Sequence, residues 1–131
     1  MKLLLDTHIW LWSLLEPERL SRRVAAALQS PRNELWLSPI SVWEAMILTE
    51  KRRVILDDEP RAWIAKALET IALREAPLTR DIALESRVVD LAHEDPADRF
   101  LAATARVLGL TLVTADDRLL RARSFRTLAN H

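Results

Sequence analysis

Two aspartates follow short apolar segments that the sequence predicts to be β-strands. Asp6 comes directly after residues 3–5 (LLL), and Asp116 comes two residues after residues 110–114 (LTLVT). An open parallel sheet binds its ligands outside the carboxyl ends of its strands. Either aspartate alone would be interpreted as the N-cap of the helix that follows. Two of them at the same edge of one sheet favour a functional site.

A glutamate lies on the apolar face of a predicted helix. Ile40, Trp43, Glu44 and Ile47 are spaced at i, i+3, i+4 and i+7, so Glu44 falls on the buried stripe of that helix. The alternative is a capping box, in which a glutamate returns to the backbone amide of an N-cap three residues earlier. That alternative requires the helix to begin at Ser41 rather than at the preceding proline, Pro39.

A fourth acid opens a later helix. Asp98 precedes apolar residues at i+3, i+4 and i+7, so its side chain also points towards the sheet from a first helical turn. Asp95 and Asp117 lie off these stripes, and we expect them to be exposed surface acids. The candidate site therefore consists of Asp6, Glu44, Asp98 and Asp116.

Four converging carboxylates would repel one another, and their pKa values would rise unless a cation lay between them. Oxygen ligands without cysteine select hard ions, which here means Mg²⁺ or Mn²⁺. Such ions bind phosphate oxygens and lower the pKa of bound water, which is the chemistry of phosphodiester hydrolysis. His8 and His93 are also available, but a lone histidine is more often structural.

Composition excludes several other kinds of site. The 131-residue chain has no cysteine, so thiolate zinc sites, iron–sulfur clusters and disulfides are ruled out. Its single glycine, Gly109, cannot build a glycine-rich phosphate loop. The 19 basic and 19 acidic residues cancel, so nucleic-acid binding would depend on a local patch. The arginine strip Arg118, Arg121, Arg123 and Arg126 is such a patch.

No targeting or membrane segment is predicted. The apolar run in residues 1–15 is interrupted by Asp6 and His8, and no small-residue cleavage site follows it. The run is also too short and too charged to span a bilayer. Together with the lack of cysteine, this predicts a cytoplasmic protein.

Apolar strands alternate with helices along the chain, which predicts an α/β domain with a parallel sheet. We expect one domain over residues 1–131, without repeats or linkers. Ser21, Thr79 and Gly109 mark predicted helix ends, and Leu84, Val88 and Leu91 form the predicted apolar stripe after Thr79. The predicted strands are 3–5, 34–38, 110–114 and 125–128, with a weak extended piece at 76–78. The first predicted helix begins near residue 8. Four more are predicted over residues 21–30, 39–53, 60–74 and 97–108, and two others begin after residues 79 and 116.

Four stretches together resemble a PIN-domain ribonuclease, specifically the VapC-type toxin of a toxin–antitoxin pair. They are residues 3–12 (LLLDTHIWLW), 37–45 (LSPISVWEA), 93–105 (HEDPADRFLAATA) and 112–119 (LVTADDRL). The resemblance implies a three-layer sandwich in which helices flank a central, mostly parallel sheet. The one departure is the small Ala97, where the family often has a larger apolar or aromatic residue.

Carried over residue by residue, the family's acidic quartet falls on Asp6, Glu44, Asp98 and Asp116. The resemblance implies that Asp6, Asp98 and Asp116 bind Mg²⁺ or Mn²⁺, and that Thr114 is the supporting polar residue. It also implies RNA cleavage by metal-activated water, a homodimer, and inhibition by a VapB-like antitoxin.

Arginines beside these acids are candidates for RNA binding. Arg99 follows Asp98, and Arg118 and Arg121 follow Asp116. We expect all three to hold phosphates that flank the site, because such contacts position a strand without reading its sequence. The alternative is that they are solvated or paired with acids such as Glu85 and Asp90.

Five tryptophans are many for so small a domain: Trp10, Trp12, Trp36, Trp43 and Trp63. At least one should be exposed, and exposed tryptophans favour protein interfaces. We expect the first helix and the helix after Pro39 to form a groove for an antitoxin helix, with contacts from Trp10, Trp12 and Trp43.

Three other functions compete with this interpretation. A receiver domain needs a lysine after a late strand, and none occurs beyond Lys66. A haloacid-dehalogenase-like phosphohydrolase needs a second acid two residues after Asp6, but position 8 is a histidine. A catalytically silent PIN scaffold that only binds a partner would gain nothing from four clustered acids, which lower stability.

Overall fold

The computed structural model describes residues 1–131 and contains five strands and seven α-helices. The strands are β1 (Lys2–Leu5), β2 (Glu34–Leu37), β3 (Arg74–Glu75), β4 (Thr111–Thr114) and β5 (Arg126–Ala129). The helices are α1 (Thr7–Leu15), α2 (Arg22–Gln29), α3 (Pro39–Glu50), α4 (Pro60–Thr70), α5 (Arg80–Ser86), α6 (Pro96–Leu108) and α7 (Asp117–Leu120). A short 3₁₀ turn at Pro17–Arg19 follows α1.

The strands form one sheet in the order β3-β2-β1-β4-β5. All four strand pairings are parallel. The chain adds β2 and β3 on one side of β1 and later returns to add β4 and β5 on the other side. The strand order therefore reverses between β1 and β4, and a crevice opens at the carboxyl ends of these two strands.

Helices cover both faces of the sheet. Leu3 and Leu5 of β1 pack into a core shared with α1, α2, α3 and α4. Leu4, between them, packs into a second core with α6. Successive side chains of a strand point to opposite faces, so a run of three leucines is what a centrally buried strand requires. The expected three-layer architecture is confirmed, and the sheet is entirely parallel.

Several helix ends lie where the sequence predicted them. The side chain of Ser21 accepts a hydrogen bond from the Val24 amide, and Thr79 does the same for Ile82. Gly109 ends α6 with φ of +66°, a left-handed conformation that glycine adopts without strain.

Other helix predictions were wrong. α3 ends at Glu50 and α4 ends at Thr70, whereas they were expected to continue to residues 53 and 74. Leu84 and Val88 are 71% and 75% exposed, while Ile82 and Val89 are buried. The helix that contains Leu84 ends at Ser86, so a helical period cannot extend to Val88.

The structure has no helix with both the length and the apolar character to cross a bilayer. Its longest helix, α6, has 13 residues, whereas a membrane span needs about 20.

Candidate active site

Asp6 lies where β1 ends and α1 begins, and it is only 8% exposed. One carboxylate oxygen, Oδ1, accepts a hydrogen bond of 2.8 Å from the Thr7 amide and so caps α1. The other, Oδ2, accepts a hydrogen bond of 2.6 Å from the hydroxyl of Thr114. The aspartate is therefore both a helix cap and a residue of the sheet edge.

Thr114 connects the acids that follow β1 and β4. It is the last residue of β4 and is fully buried. Its hydroxyl donates to Asp6 and accepts a hydrogen bond of 3.0 Å from the backbone amide of Asp116. Because the same oxygen contacts both groups, Thr114 fixes Asp6 and Asp116 relative to each other.

Asp98 projects from the first turn of α6 and is 7% exposed. Its Oδ2 lies 2.8 Å from Nε2 of His93. Its backbone amide donates to the side chain of Asp95, which is the N-cap of α6. Asp95 is exposed, as expected, but it also lines the acidic pocket, a role that was not predicted from the sequence. The signal was the proline at the first helical position, which marks the preceding residue as a cap.

Glu44 lies in the second turn of α3, which begins at Pro39 with Ser38 as its N-cap. The alternative capping box at Ser41 is therefore wrong. Ser41 is instead buried, and its hydroxyl accepts a hydrogen bond of 3.0 Å from the hydroxyl of Thr7. This bond ties the start of α3, which carries Glu44, to the start of α1 beside Asp6. Neither hydroxyl was singled out in the sequence, although each is a small polar residue close to a candidate acid.

All four predicted acids line one cavity of about 460 Å³. The cavity lies at the crevice between the carboxyl ends of β1 and β4. Its other lining residues are His8, Trp12, Leu48, Arg53, Asp95, Ala115 and Arg118. The topology thus brings together acids that are up to 110 positions apart in the chain.

Burial and mutual repulsion raise the pKa of two of these acids. Desolvation raises the pKa of Asp6 to about 7, with further increases from the charges of Asp98 and Glu44, although the Thr114 hydrogen bond opposes them. Desolvation also raises the pKa of Asp98, and the charges of Asp95 and Asp116 add to this, against the hydrogen bond from His93. A carboxyl that binds a proton so readily at neutral pH is one that a cation would stabilise.

Asp116 differs because an arginine neutralises it. Partial burial raises the pKa of Asp116, but hydrogen bonds and the charge of Arg118 outweigh this and hold it below its usual value. Nη2 of Arg118 lies 3.0 Å from Oδ2 of Asp116 and 3.7 Å from Oδ2 of Asp98. The guanidinium therefore bridges two of the four acids.

The donor set suits a hard divalent cation, because the four side chains offer only carboxylate oxygens. No three histidine, aspartate or glutamate side chains are spaced as ligands of one metal ion in this arrangement. Arg118 supplies the positive charge between Asp98 and Asp116 instead. Its side chain is half-exposed, so it is free to withdraw towards solvent.

Residues 3–124 match the PIN domain family. The chain belongs to this family. The PIN domain is 34% identical over 119 residues to Ribonuclease VapC22 of Mycobacterium tuberculosis (strain ATCC 25618 / H37Rv). These residues make up 88% of each of the two chains.

Solved structures confirm the fold of this PIN domain. It is similar to VapBC2 from Rickettsia felis bound to a DNA fragment from their promoter, with a TM-score of 0.75, 16% identity and 98% of each chain covered. It is also similar to DNA-bound VapBC from Salmonella typhimurium, with a TM-score of 0.70, 20% identity and the same coverage.

The predicted RNA contact by Arg99 was wrong. Arg99 is 5% exposed, and its guanidinium donates to the backbone carbonyls of Ser86, Val89, Leu91 and His93 at 2.8 to 3.2 Å. Successive side chains of a helix are rotated by about 100° around its axis, so Arg99 points in a different direction from Asp98. It therefore points away from the cavity and into the segment between α5 and α6.

The other two candidate arginines remain at the surface of the PIN domain. Arg118 is paired with Asp116 and Asp98, whereas the alternative to RNA binding had named other acids as partners. Arg121 is exposed, and its Nε donates to the backbone carbonyl of Asp117 at 3.3 Å. Asp117 is exposed, as expected.

The tryptophans divide between core and surface. Trp43 is 51% exposed, which confirms that at least one is exposed. Trp12 is half-buried beneath the guanidinium of Arg19, 4.3 Å from its ring centre. Trp10 is fully buried and cannot contact a partner, so its expected place in an antitoxin groove was wrong.

Proposed function

We propose that this PIN domain is a Mg²⁺- or Mn²⁺-dependent endoribonuclease and the toxin of a VapBC-type toxin–antitoxin pair. The observation that carries the proposal is the cavity in which four carboxylates meet and in which burial raises the pKa of Asp6 to about 7. The 34% identity to a relative named as a ribonuclease supports RNA as the substrate.

In this proposal Asp6, Asp98 and Asp116 bind the cation, and Glu44 completes the site directly or through water. When bound, the cation lowers the pKa of a water and neutralises charge on the scissile phosphate. Thr114 orients Asp6 by its hydrogen bond to Oδ2. His93 and Arg118 both approach Oδ2 of Asp98, which leaves Oδ1 of Asp98 for a ligand.

Arg118 has two roles in the proposal. Without the cation it neutralises Asp116 and Asp98, as its distances to both carboxylates indicate. Arg118 would be displaced from the acids by the repulsion of a bound cation, and its guanidinium would then be available to an RNA phosphate. A bidentate guanidinium suits that phosphate well.

An antitoxin segment would bind beside the acids. A groove of about 550 Å³ runs between α1 and the end of α3, and its apolar lining includes Trp12, Leu15 and the 85%-exposed Ile55. This groove shares His8, Trp12, Leu48 and Arg53 with the acidic cavity. A VapB-like segment in the groove could therefore extend over the acids and exclude RNA.

The remaining parts of the proposal concern assembly and location. We infer that residues 1–131 form one domain that assembles as a homodimer and acts in the cytoplasm. A haloacid-dehalogenase-like phosphohydrolase is not supported, because the match to the PIN family covers residues 3–124.

RNA cleavage by the purified protein tests the proposal. Asp98→Asn should remove several kcal/mol of transition-state stabilisation and so slow cleavage by at least about a hundredfold. Excess EDTA should have the same effect on the wild type. Asp81→Asn, an exposed change in the first turn of α5, is the matched control and should cleave normally.

Full cleavage by Asp98→Asn or in EDTA would refute the mechanism. Metal binding by a wild type that cleaves no RNA would instead favour the catalytically silent binding module.

A further inference from the structure

A second cavity, of about 480 Å³, lies beside the acidic one. Residues 90–93 form one wall, and Arg118, Arg121 and Ala122 form the other. Arg118 lines both cavities, and His93 lines the second while its Nε2 contacts Asp98. The volume is that of a site for one small ligand.

The wall at residues 90–93 is held from inside the protein. The four backbone carbonyls that Arg99 binds belong to residues 86–93, so one buried guanidinium fixes the whole segment. A surface loop held in this way is ordered before any ligand arrives, which lowers the entropy cost of binding. The cavity is therefore a preformed part of the surface.

The lining has both a cationic and an apolar part. Arg121 makes no ion pair with any carboxylate, and the bond from its Nε to the Asp117 carbonyl leaves its terminal amino groups available. Leu91, Ala92 and Ala122 provide apolar surface on both walls. The carboxylate of Asp90 can accept hydrogen bonds from amino or hydroxyl groups.

We propose that this cavity binds one nucleotide of the RNA strand, next to the phosphate that is cleaved. Arg121 binds the phosphate of that nucleotide, and the base of the nucleotide lies against Leu91, Ala92 and Ala122. The small side chains of Ala92 and Ala122 leave the room that the ring needs. This inference rests on the proposed function, and it adds a subsite beyond the acids.

Titration with nucleoside monophosphates and with inorganic phosphate tests the subsite directly, because a monophosphate has no internucleotide bond to cleave. The 131-residue chain is used, and binding is followed by calorimetry. Arg121→Ala should weaken monophosphate binding by about tenfold, the value of one charged hydrogen-bonding partner. Ala92→Phe, which fills the cavity without removing charge, should weaken it at least as much. Arg61→Ala, an exposed arginine of α4 outside both the cavity and the arginine strip, is the matched control.

Steady-state RNA cleavage supplies the second measurement. Arg121→Ala and Ala92→Phe should raise KM and leave kcat within about twofold, because a subsite that binds substrate and transition state equally changes only KM. Unchanged KM in both variants, with normal cleavage, would overturn the subsite and leave the proposed function standing. Equal affinity for inorganic phosphate and for every monophosphate would also overturn it, since the ring would then contribute nothing. Monophosphate binding that depends on Arg121 and Ala92, in a protein that cleaves no RNA, would support the subsite and refute the proposed function.

Discussion

Replacing Asp6 by asparagine should change the pH dependence of stability in a way that the structure specifies. The folded protein raises the pKa of Asp6 from 3.8 to about 7, chiefly by burial. The folded state thus binds this proton more tightly than the unfolded state does. The stabilising contribution of the protonated carboxyl is fully present below the unfolded pKa, and it is lost as the pH rises through the folded pKa.

The size of the effect follows from the two pKa values. Each pKa unit corresponds to about 1.36 kcal/mol, so Asp6 should destabilise the wild type by about 4 kcal/mol at neutral to alkaline pH relative to acid pH. Asparagine is neutral throughout and avoids this loss. However, Asp6 accepts hydrogen bonds from both Thr7 and Thr114, and an amide has only one oxygen. We therefore subtract about 1–2 kcal/mol for the weakened contact with Thr114.

Asp6→Asn should then be more stable than the wild type by about 2–3 kcal/mol near pH 8, and less stable by about 1–2 kcal/mol near pH 4. Urea unfolding in EDTA across this range measures the difference without metal linkage. Asp57→Asn, at an exposed carboxylate outside the helices, is the control and should give a difference close to zero throughout. A stability difference that does not vary with pH would refute the reasoning.

Three further predictions concern residues whose contacts the structure defines. Arg99→Met should lower the free energy of unfolding by about 3 kcal/mol or more, because four backbone carbonyls, three of them in buried hydrogen bonds, lose their donor; a loss under about 1 kcal/mol in urea unfolding would show that water replaces the guanidinium. Arg118→Gln should tighten Mn²⁺ binding severalfold in calorimetry, since a competing positive charge leaves Asp116 and Asp98; unchanged affinity would mean that Arg118 and the metal do not compete. Trp12, unlike Trp43, lines the groove beside the acids, so Trp12→Ala should weaken the complex with the antitoxin by about tenfold; an unchanged affinity would place the antitoxin elsewhere.

The layers of the fold could be predicted from the sequence because a strand buried on both faces is an uninterrupted run of apolar residues. The three leucines of β1 have no polar alternation, and the structure buries them in two separate cores. The stripe predicted after Thr79 failed for the opposite reason. Leu84 and Val88 have helical spacing, but the helix ends at Ser86, and the carbonyls of Ser86 and Val89 accept hydrogen bonds from the buried Arg99. The segment after this helix is therefore held by a tertiary contact that the local period cannot indicate.

The acids of the site were predictable because each one directly follows a strand or opens a helix. Their partners were not. Arg99 adjoins Asp98 in the sequence, yet its ligands are carbonyls 6 to 13 positions earlier. Backbone carbonyls carry no residue identity, so no pattern of side chains can indicate such a contact. Likewise, a basic residue near an acid has the same spacing whether it binds the acid, as Arg118 does, or remains free, as Arg121 does.

Arg118 and Arg121 lie at the same site but differ in what they bind. Clustered carboxylates at a strand-order reversal repel a polyanion, so an RNA strand can approach only if positive charge is supplied nearby. Arg118 neutralises the acids themselves, and it can turn to the strand only when another cation replaces it. Arg121 is not paired with an acid and is therefore available to a phosphate before the metal binds. Binding of a flanking nucleotide should therefore persist without metal, whereas binding across the acids should require it.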